Sequence, residues 1–286
     1  VKDVWSCLTC GLCHDRCPSA VDFPEFIRDM RQLQKAAGKQ GCEAHEGFFQ
    51  SFMRAMTSPT LVPRRWQHLP ENIRVNPRSP ILFYGGCAAY FDVFFHKFLG
   101  AQTHRILEDS LRLLNFFDVE PALMANERCC GHDLLWSGDQ ANFQRLAALN
   151  AQAIAASGAR ELITACPECH HTLSQEYPRH GVALPVKITH MHEFLEREIA
   201  KGAVAFKPMG TKLVFQDACR QSRFNGQAAL PRKLLMQLCV ADPQTLVDAA
   251  APSVCCGNSA WTGCDAFSKS MQVQHIERAK QAGGQT

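Results

Sequence analysis

Two pairs of adjacent cysteines, each followed by glycine, constrain this chain more than any other feature: Cys129-Cys130-Gly131 and Cys255-Cys256-Gly257. Neighbouring Cα atoms sit ~3.8 Å apart, below the ~4.4–6.8 Å that disulfides prefer, so a vicinal pair makes a poor structural bridge. The sequences that the pairs open, CCGHDLLWSGDQANFQRLAALNAQAIAASGAR and CCGNSAWTGCDAFSKSMQVQHIERAKQAGGQT, align without a gap at an offset of 126 residues. Upstream, PILFYGGC (80–87) is matched by TKLVFQDAC (211–219), in each case a short β-rich run that delivers a cysteine. A helix-period segment follows each run, around His104–Leu114 and Leu230–Leu238. The chain is therefore a repeat.

In the first copy, ELITAC (161–166) is a strand ending at CPEC, so that Cys166 and Cys169 open another helix. The same offset places the second copy's equivalents at positions 292 and 295, beyond Thr286. Strand–helix–strand alternation implies parallel sheets, with ligands at strand C-termini and helix N-termini. There the helix dipole and backbone N–H groups stabilise thiolate charge. Glycine after each pair lets the backbone approach sulfur closely. No GxGxxG phosphate fingerprint is present, so no nucleotide is read into the fold.

Fifteen cysteines in 286 residues is the abnormal count. Otherwise the composition is ordinary, 46% apolar and 20% charged, as in a globular chain. A net charge of +3 without a basic run gives no nucleic-acid footprint, and no apolar stretch approaches the ~20 residues that span a bilayer, so a soluble chain is expected. The odd cysteine count, the vicinal pairs and the lack of a signal peptide argue against a disulfide framework. They point to metal-bound thiolates in a reducing compartment, the cytoplasm or the cytoplasmic face of a membrane. The spacing favours iron–sulfur clusters over zinc.

CLTCGLCHDRCP places Cys7, Cys10, Cys13 and Cys17 before Pro18, the C-x2-C-x2-C-x3-C-P run of bacterial ferredoxins. In two-cluster ferredoxins the fourth cysteine ligates the other cluster, and this chain holds no second run. Either Cys17 turns back onto its own cluster or a partner run precedes Val1; the second is favoured. Downstream, Phe26, Met30, Leu33 and Ala36–Ala37 recur at helical spacing, with Asp22 as the cap and Gly38 as the stop. A second helix is expected over Ala44–Met56. The five prolines between 59 and 80 mark an extended connection, with Arg64, Arg65 and Trp66 on its surface or packed on a neighbour. The expected architecture is α/β: a helical ferredoxin-type domain (1–58), a proline-rich linker (59–80), a first repeat unit (81–204) and a second (205–286) that stops before its CxxC.

Cys87, Cys129-Cys130-Gly131 and Cys166-x-x-Cys169 resemble the cysteine-rich CCG domain of heterodisulfide reductases, with related subunits in glycolate oxidase and lactate utilisation. The order, a ferredoxin domain and then two CCG units, looks like the fused reductase subunit, and the resemblance covers nearly the whole chain. It implies that Cys87, Cys129, Cys130, Cys166 and Cys169 hold a non-cubane [4Fe-4S] cluster, one vicinal cysteine bridging irons. Those five cysteines would then bear the chemistry, beside one or two ferredoxin-type clusters, one of them on Cys7, Cys10, Cys13 and Cys17. Cys219, Cys255 and Cys256 match a second set that lacks its CxxC and reads QDAC where relatives carry His-Asp-Pro-Cys. The double deficit, upstream and downstream, suggests a piece of a longer protein. The implied role is an electron relay to a disulfide or other small sulfur substrate. The implied partners are a flavoprotein, ferredoxin or membrane cytochrome subunit. Two alternatives stand beside it: an electron-transfer subunit of a flavin-dependent hydroxyacid oxidase or quinone-linked complex, and a zinc-stabilised interaction module.

The remaining candidates receive blander readings. His132, next to Cys130-Gly131, is a candidate hydrogen-bond donor or proton source for a cluster. His170 and His171 are read as solvent-facing or capping, and His190 and His192 as a packed strand-to-helix junction. Cys42, His45, Cys239 and Cys264 are read as loop or core residues. Arg220 and Arg223, after Cys219, face either solvent or an anionic group.

Overall fold

The computed structural model describes residues 2–39, 41, 43–202, 204, 213–238, 246–248, 254–262 and 266–283; Cys42, Cys239 and Cys264 lie outside the described residues. The chain divides into two compact units that interleave in sequence. One holds residues 1–52, 133–140 and 202–286, and the other holds residues 53–132 and 141–201.

In the first unit, α1 (Lys2–Ser6) leads into the cysteine run, which loops around α2 (Leu12–Asp15). α3 (Phe23–Ala36) begins where the Asp22 carboxylate accepts from the Glu25 N–H at 3.1 Å, and it is followed by Gly38 at a φ of 72°. Its inner face is not the Phe26–Met30–Leu33 stripe. Ile27, Arg28 and Arg31 point inward, whereas Phe26 and Leu33 are 53% and 63% exposed. The reason is polar: the interior offers backbone carbonyls to a guanidinium, as described below. The next helix is shorter than expected, because left-handed φ values at His45 and Glu46 confine Ala44–Gly47 to a 3-10 turn before α4 (Phe48–Ala55).

The second unit is the α/β arrangement implied by the repeat. β1 (Ile81–Tyr84), α5 (Ala88–Leu99) and α6 (His104–Phe116) precede the first Cys-Cys pair. After it the chain leaves this unit through α7 (His132–Trp136), which belongs to the first unit from Asp133 on, and returns along α8 (Gln140–Ser157) to β2 (Glu161–Thr164). A second crossover through α9 (Pro167–His171), a π-helical turn and α10 (Tyr177–Arg179) reaches β3 (Lys187–His190), and α11 (Met191–Ala200) follows. The three strands are parallel in the order β1-β2-β3, with Tyr84, Thr164 and His190 in register at their C-terminal ends. Leu82, Phe83, Leu162, Ile163, Leu111, Phe143 and Phe194 are buried, so the sheet is covered by helices as parallel sheets require. The proline-rich stretch is no surface linker at Arg65, whose side chain is 1% exposed.

At the end of β3 the buried His190 caps α11. Its ring accepts from the His192 N–H at 3.2 Å, while the Glu193 carboxylate accepts from the His190 N–H at 2.7 Å. Burial, with His192 and His170 close by, pulls His190 down to about 3 from an ordinary 6.5. The unfolded chain therefore binds a proton below pH 6.5 that the folded chain refuses. Stability is lost as pH falls from about 6.5 towards about 3, by roughly 5 kcal/mol if His190 acted alone. His190→Asn, which keeps a cap but cannot titrate, is expected to flatten that part of a urea-unfolding pH profile; an unchanged profile would exonerate His190.

The C-terminal part of the first unit repeats the pattern. β4 (Leu213–Phe215) pairs in parallel with β5 (Leu246–Asp248), with α12 (Ala229–Leu238) between them, and α13 (Ala266–Gln281) follows the second Cys-Cys pair. The offset of 126 survives in the backbone: Gly131 and Gly257 have φ of 87° and 88°, and α8 and α13 start at equivalent positions. Phe49 stacks on Trp261 at 4.0 Å, and Gln50 Nε2 donates to the Ala260 carbonyl at 2.9 Å, tying α4 to the second repeat.

Candidate metal centres

Five thiols from three stretches of the second unit meet beyond the C-terminal ends of β1 and β2. Gly85-Gly86 carries the chain from β1 to Cys87, Ala165 carries it from β2 to Cys166, and Cys169 lies in the first turn of α9. Cys130 Sγ lies 3.5 Å from Cys169 Sγ. Cys129 has Cys130 and Cys87 as sulfur neighbours, and Cys169 has Cys130 and Cys166. The Gly131 N–H points to Cys129 Sγ, and the Cys169 N–H to Cys166 Sγ, each at 3.4 Å. A cavity of about 360 Å³ opens on Cys87 and Cys166, walled by Phe91, Leu107 and Pro167.

Buried side chains hold the vicinal pair by its backbone. Tyr177 Oη donates to the Cys130 carbonyl at 3.0 Å, Asn150 Nδ2 to the Cys129 carbonyl at 2.9 Å, and Tyr84 Oη to the Arg128 carbonyl at 2.6 Å. Arg128 fastens the connecting stretch through the Met56, Ser58 and Leu61 carbonyls. Arg65 donates to Glu127 Oε1 at 2.6 Å and to the Gly86 carbonyl, and Glu127 Oε1 also accepts from the Gly86 N–H at 2.9 Å. That buried pair locks the Cys87 loop to the Cys129 loop. No motif marks Arg65, Glu127, Asn150 or Tyr177 as a site residue; the one signal in the sequence is a charged Glu-Arg directly before the cysteine pair.

Sulfur crowding sets the ionisation order. Contacts with Cys130 and Cys87, then the Gly131 N–H and the Arg65 charge, hold Cys129 well below the usual thiol range. Cys130 is pushed well above it, first by Cys129, and Cys169 by Cys130 and Cys166, with burial adding to both. An all-thiol set, with Cys129, Cys130 and Cys169 buried and backbone N–H donors aimed at sulfur, suits a soft iron–sulfur group, and binding it would release the remaining protons. Gly86 shows how close the fit is, since a Cβ there would lie 2.7 Å from Cys169 Sγ at a φ of 66°. Gly86→Ala is expected to abolish iron uptake at this set while far-UV circular dichroism stays native; full uptake would mean that this sulfur arrangement is not required.

His132 is buried, with Nδ1 3.7 Å from the carboxylate of Glu168, a residue between Cys166 and Cys169. His170 and His171 are buried too, against Glu193 and Glu176 at 3.3 and 3.2 Å, which corrects their solvent-facing reading. The helix that carries them faces the sheet, and each ring has one carboxylate beside it, the buried Glu176 for His171 and the half-buried Glu193 for His170.

In the first unit the cysteine run and the second pair come together. Cys10 lies against Cys255; that contact pulls Cys10 down to about 6 and pushes Cys255 above the thiol range, while Cys256 falls to about 6. The Thr9 N–H points to Cys7 Sγ at 3.4 Å, and burial pushes Cys7 up. Cys13 and Cys256 are exposed. The backbone groups of Val21, Ser19 and Ala20 hold Cys17 below the usual range. Cys219 is half-buried and precedes a π-helical turn, Arg220–Phe224.

The cysteine-rich domain family called CCG matches residues 81–174, the stretch that supplies all five thiols of the second unit. That stretch is similar to the CCG family. Over 248 residues it is 27% identical to a dihydromethanophenazine:CoB–CoM heterodisulfide reductase subunit from Methanosarcina acetivorans, covering 82% of this chain and 57% of that protein. It is 27% identical to an EtfAB:quinone oxidoreductase of Syntrophomonas wolfei, over 82% of the chain and 33% of the relative. It is 26% identical to a fumarate reductase (CoM/CoB) subunit from Methanothermobacter marburgensis, over 90% of the chain and 48% of the relative. The chain thus spans about half the length of these relatives or less. With the thiol sets, these matches make the chain similar to subunits of iron–sulfur oxidoreductases, the Methanosarcina heterodisulfide reductase protein among them. Among the described residues no helix is long and apolar enough to cross a membrane.

Proposed function

We propose that Cys87, Cys129, Cys130, Cys166 and Cys169 hold a non-cubane [4Fe-4S] cluster, and that Cys7, Cys10, Cys13 and Cys17 serve a ferredoxin-type one. The observation that carries this reading is the meeting of five thiols, with Cys130 and Cys169 at 3.5 Å. Such a group, when bound, supplies one-electron chemistry. The chain's own residues fix where it acts: Tyr177, Asn150 and Tyr84 immobilise the vicinal pair, and the Arg65–Glu127 pair sets the Cys87 loop against it. On this reading, electrons from a flavoprotein, ferredoxin or membrane cytochrome partner enter the ferredoxin-type domain (1–58) and reach the first CCG domain (81–204). The end reaction is reduction of a disulfide or related sulfur substrate, as the name of the Methanosarcina relative says of that protein. The setting is the cytoplasm or the cytoplasmic face of a membrane. Whether Cys219, Cys255 and Cys256, in the domain over 205–286, hold a further cluster belongs to the same test.

Iron and acid-labile sulfide are to be counted on anaerobically purified protein. Per chain, about eight irons with matching sulfide supports both sites, whereas about four leaves one of them empty. Stoichiometric zinc in colourless protein would replace this reading with a structural module. The contact of Cys255 with Cys10 favours a second reading, a pure relay for a flavin-dependent hydroxyacid oxidase or quinone module. Iron-loaded protein that passes electrons but never turns over a disulfide would establish it.

A further inference from the structure

The run Cys7–Gly11 is gripped by arginines from two directions. From α3, Arg31 donates to the Val4 carbonyl at 3.1 Å, to the Trp136 carbonyl at 2.8 Å and to the Cys7 carbonyl. From the turn after Cys219, Arg223 Nε donates to the Cys10 carbonyl at 2.7 Å, and Arg220 Nη2 to Thr9 Oγ1 at 3.1 Å. The Arg220 guanidinium lies 4.0 Å from the ring centres of both Trp136 and Phe224. Phe224 presses on Gly11, where a Cβ would lie 2.9 Å from the ring. At the equivalent positions of the first repeat, after Cys87, the chain reads Ala88-Ala89-Tyr90-Phe91 with no charge.

Electrostatics makes this arrangement unusual. Arg31 is 0% exposed and Arg220 2%. Among the described residues no carboxylate forms an ion pair with Arg31. Carbonyl oxygens and ring faces satisfy donors without cancelling a whole charge, and burying a cation costs several kcal/mol unless an anion compensates it. Two sulfurs of the run lie in the field of these arginines, Cys7 in that of Arg31 and Cys10 in that of Arg223, and Arg220 holds Thr9 between them.

We infer that Arg31, Arg220 and Arg223 are the charge-compensating cradle of the iron–sulfur group served by the Cys7–Cys17 run, and that the second repeat unit delivers two of the three. The inference rests on the iron–sulfur reading of that run. It gives the second repeat a role, the electrostatics of the neighbouring redox site, that needs no complete cysteine set of its own. A fixed cation stabilises the reduced, more negative form, so the cradle holds the potential up.

The test is a redox titration followed by electron paramagnetic resonance. It is done on the whole iron-loaded chain in a Cys130→Ser background, so that the run's signal is read alone. Arg220→Met is expected to make the potential more negative, changing the oxidised-to-reduced ratio at fixed potential about tenfold, which for one electron is about 59 mV. Arg220→Lys retains the charge and is expected to stay near the parent. Should Arg220→Met take up no iron, Arg223→Gln is titrated instead, with a shift of the same sign. An unmoved potential at full iron content overturns the inference, and equal shifts for Lys and Met at position 220 do so too. Absence of a run-bound signal in the parent would instead sink the iron–sulfur reading of the run.

Discussion

Cys130→Ser is expected to erase the paramagnetic signal of the CCG site and remove about four irons per chain, leaving the ferredoxin-type signal in place. Serine is nearly isosteric but offers a harder oxygen that ionises far less readily than a thiol. The position matters because Cys130 touches two sulfurs, Cys129 and Cys169, and so links the Cys87–Cys129 side of the set to the Cys166–Cys169 side. Its carbonyl stays held by Tyr177, so the loop should keep its shape without the sulfur. Iron analysis and spectroscopy of the variant, with thermal unfolding as the control for fold, decide the matter. A Cys130→Ser protein with full iron and an unchanged signal would take Cys130 out of the ligand set and break the five-thiol reading.

The meeting of the second unit's cysteines is legible in the sequence because their motifs are marked by spacing, and spacing survives without coordinates. The parallel sheet is legible for a similar reason: strand, cysteine and helix recur at a constant offset, and two copies of one unit cannot easily fold two ways. The failures share a cause as well. Arg31 and Arg65 carry charge, and a charged residue in a helix or beside prolines reads as surface. Each is buried because partners distant in sequence, the Cys7 and Trp136 carbonyls or Glu127, supply what water would. Helical periodicity likewise marks Phe26 and Leu33 as the inner face of α3, yet the inward face is set by Arg28 and Arg31. His170 and His171 mislead for the same reason, since Glu193 and Glu176 lie 23 and 5 residues away in the chain and only the fold brings them to the rings.

Arg65→Met is the substitution with the largest expected cost to folding. Arg65 and Glu127 have side chains 1% and 0% exposed, and their contact at 2.6 Å is reinforced by both polar groups of Gly86. Burial already pushes Glu127 up to about 7, against the pull of Arg65 and the Gly85 and Gly86 amides. Without Arg65 the carboxylate must be protonated or remain an uncompensated buried charge, and breaking such a pair costs about 3–5 kcal/mol. Glu127→Gln beside Arg65→Met leaves no buried charge and still offers the Gly86 N–H an acceptor. The double variant should therefore be more stable than Arg65→Met alone, a coupling that a double-mutant cycle in urea reads directly. The cost should reach the metal site too, because the pair is what fastens the Cys87 loop to the Cys129 loop. The double variant is thus expected to refold yet load less iron at the CCG set than the parent. If Arg65→Met instead unfolds within about 1 kcal/mol of the parent, the guanidinium is not buried against Glu127 in solution. The Cys87 loop would then be held by the sulfur contacts themselves.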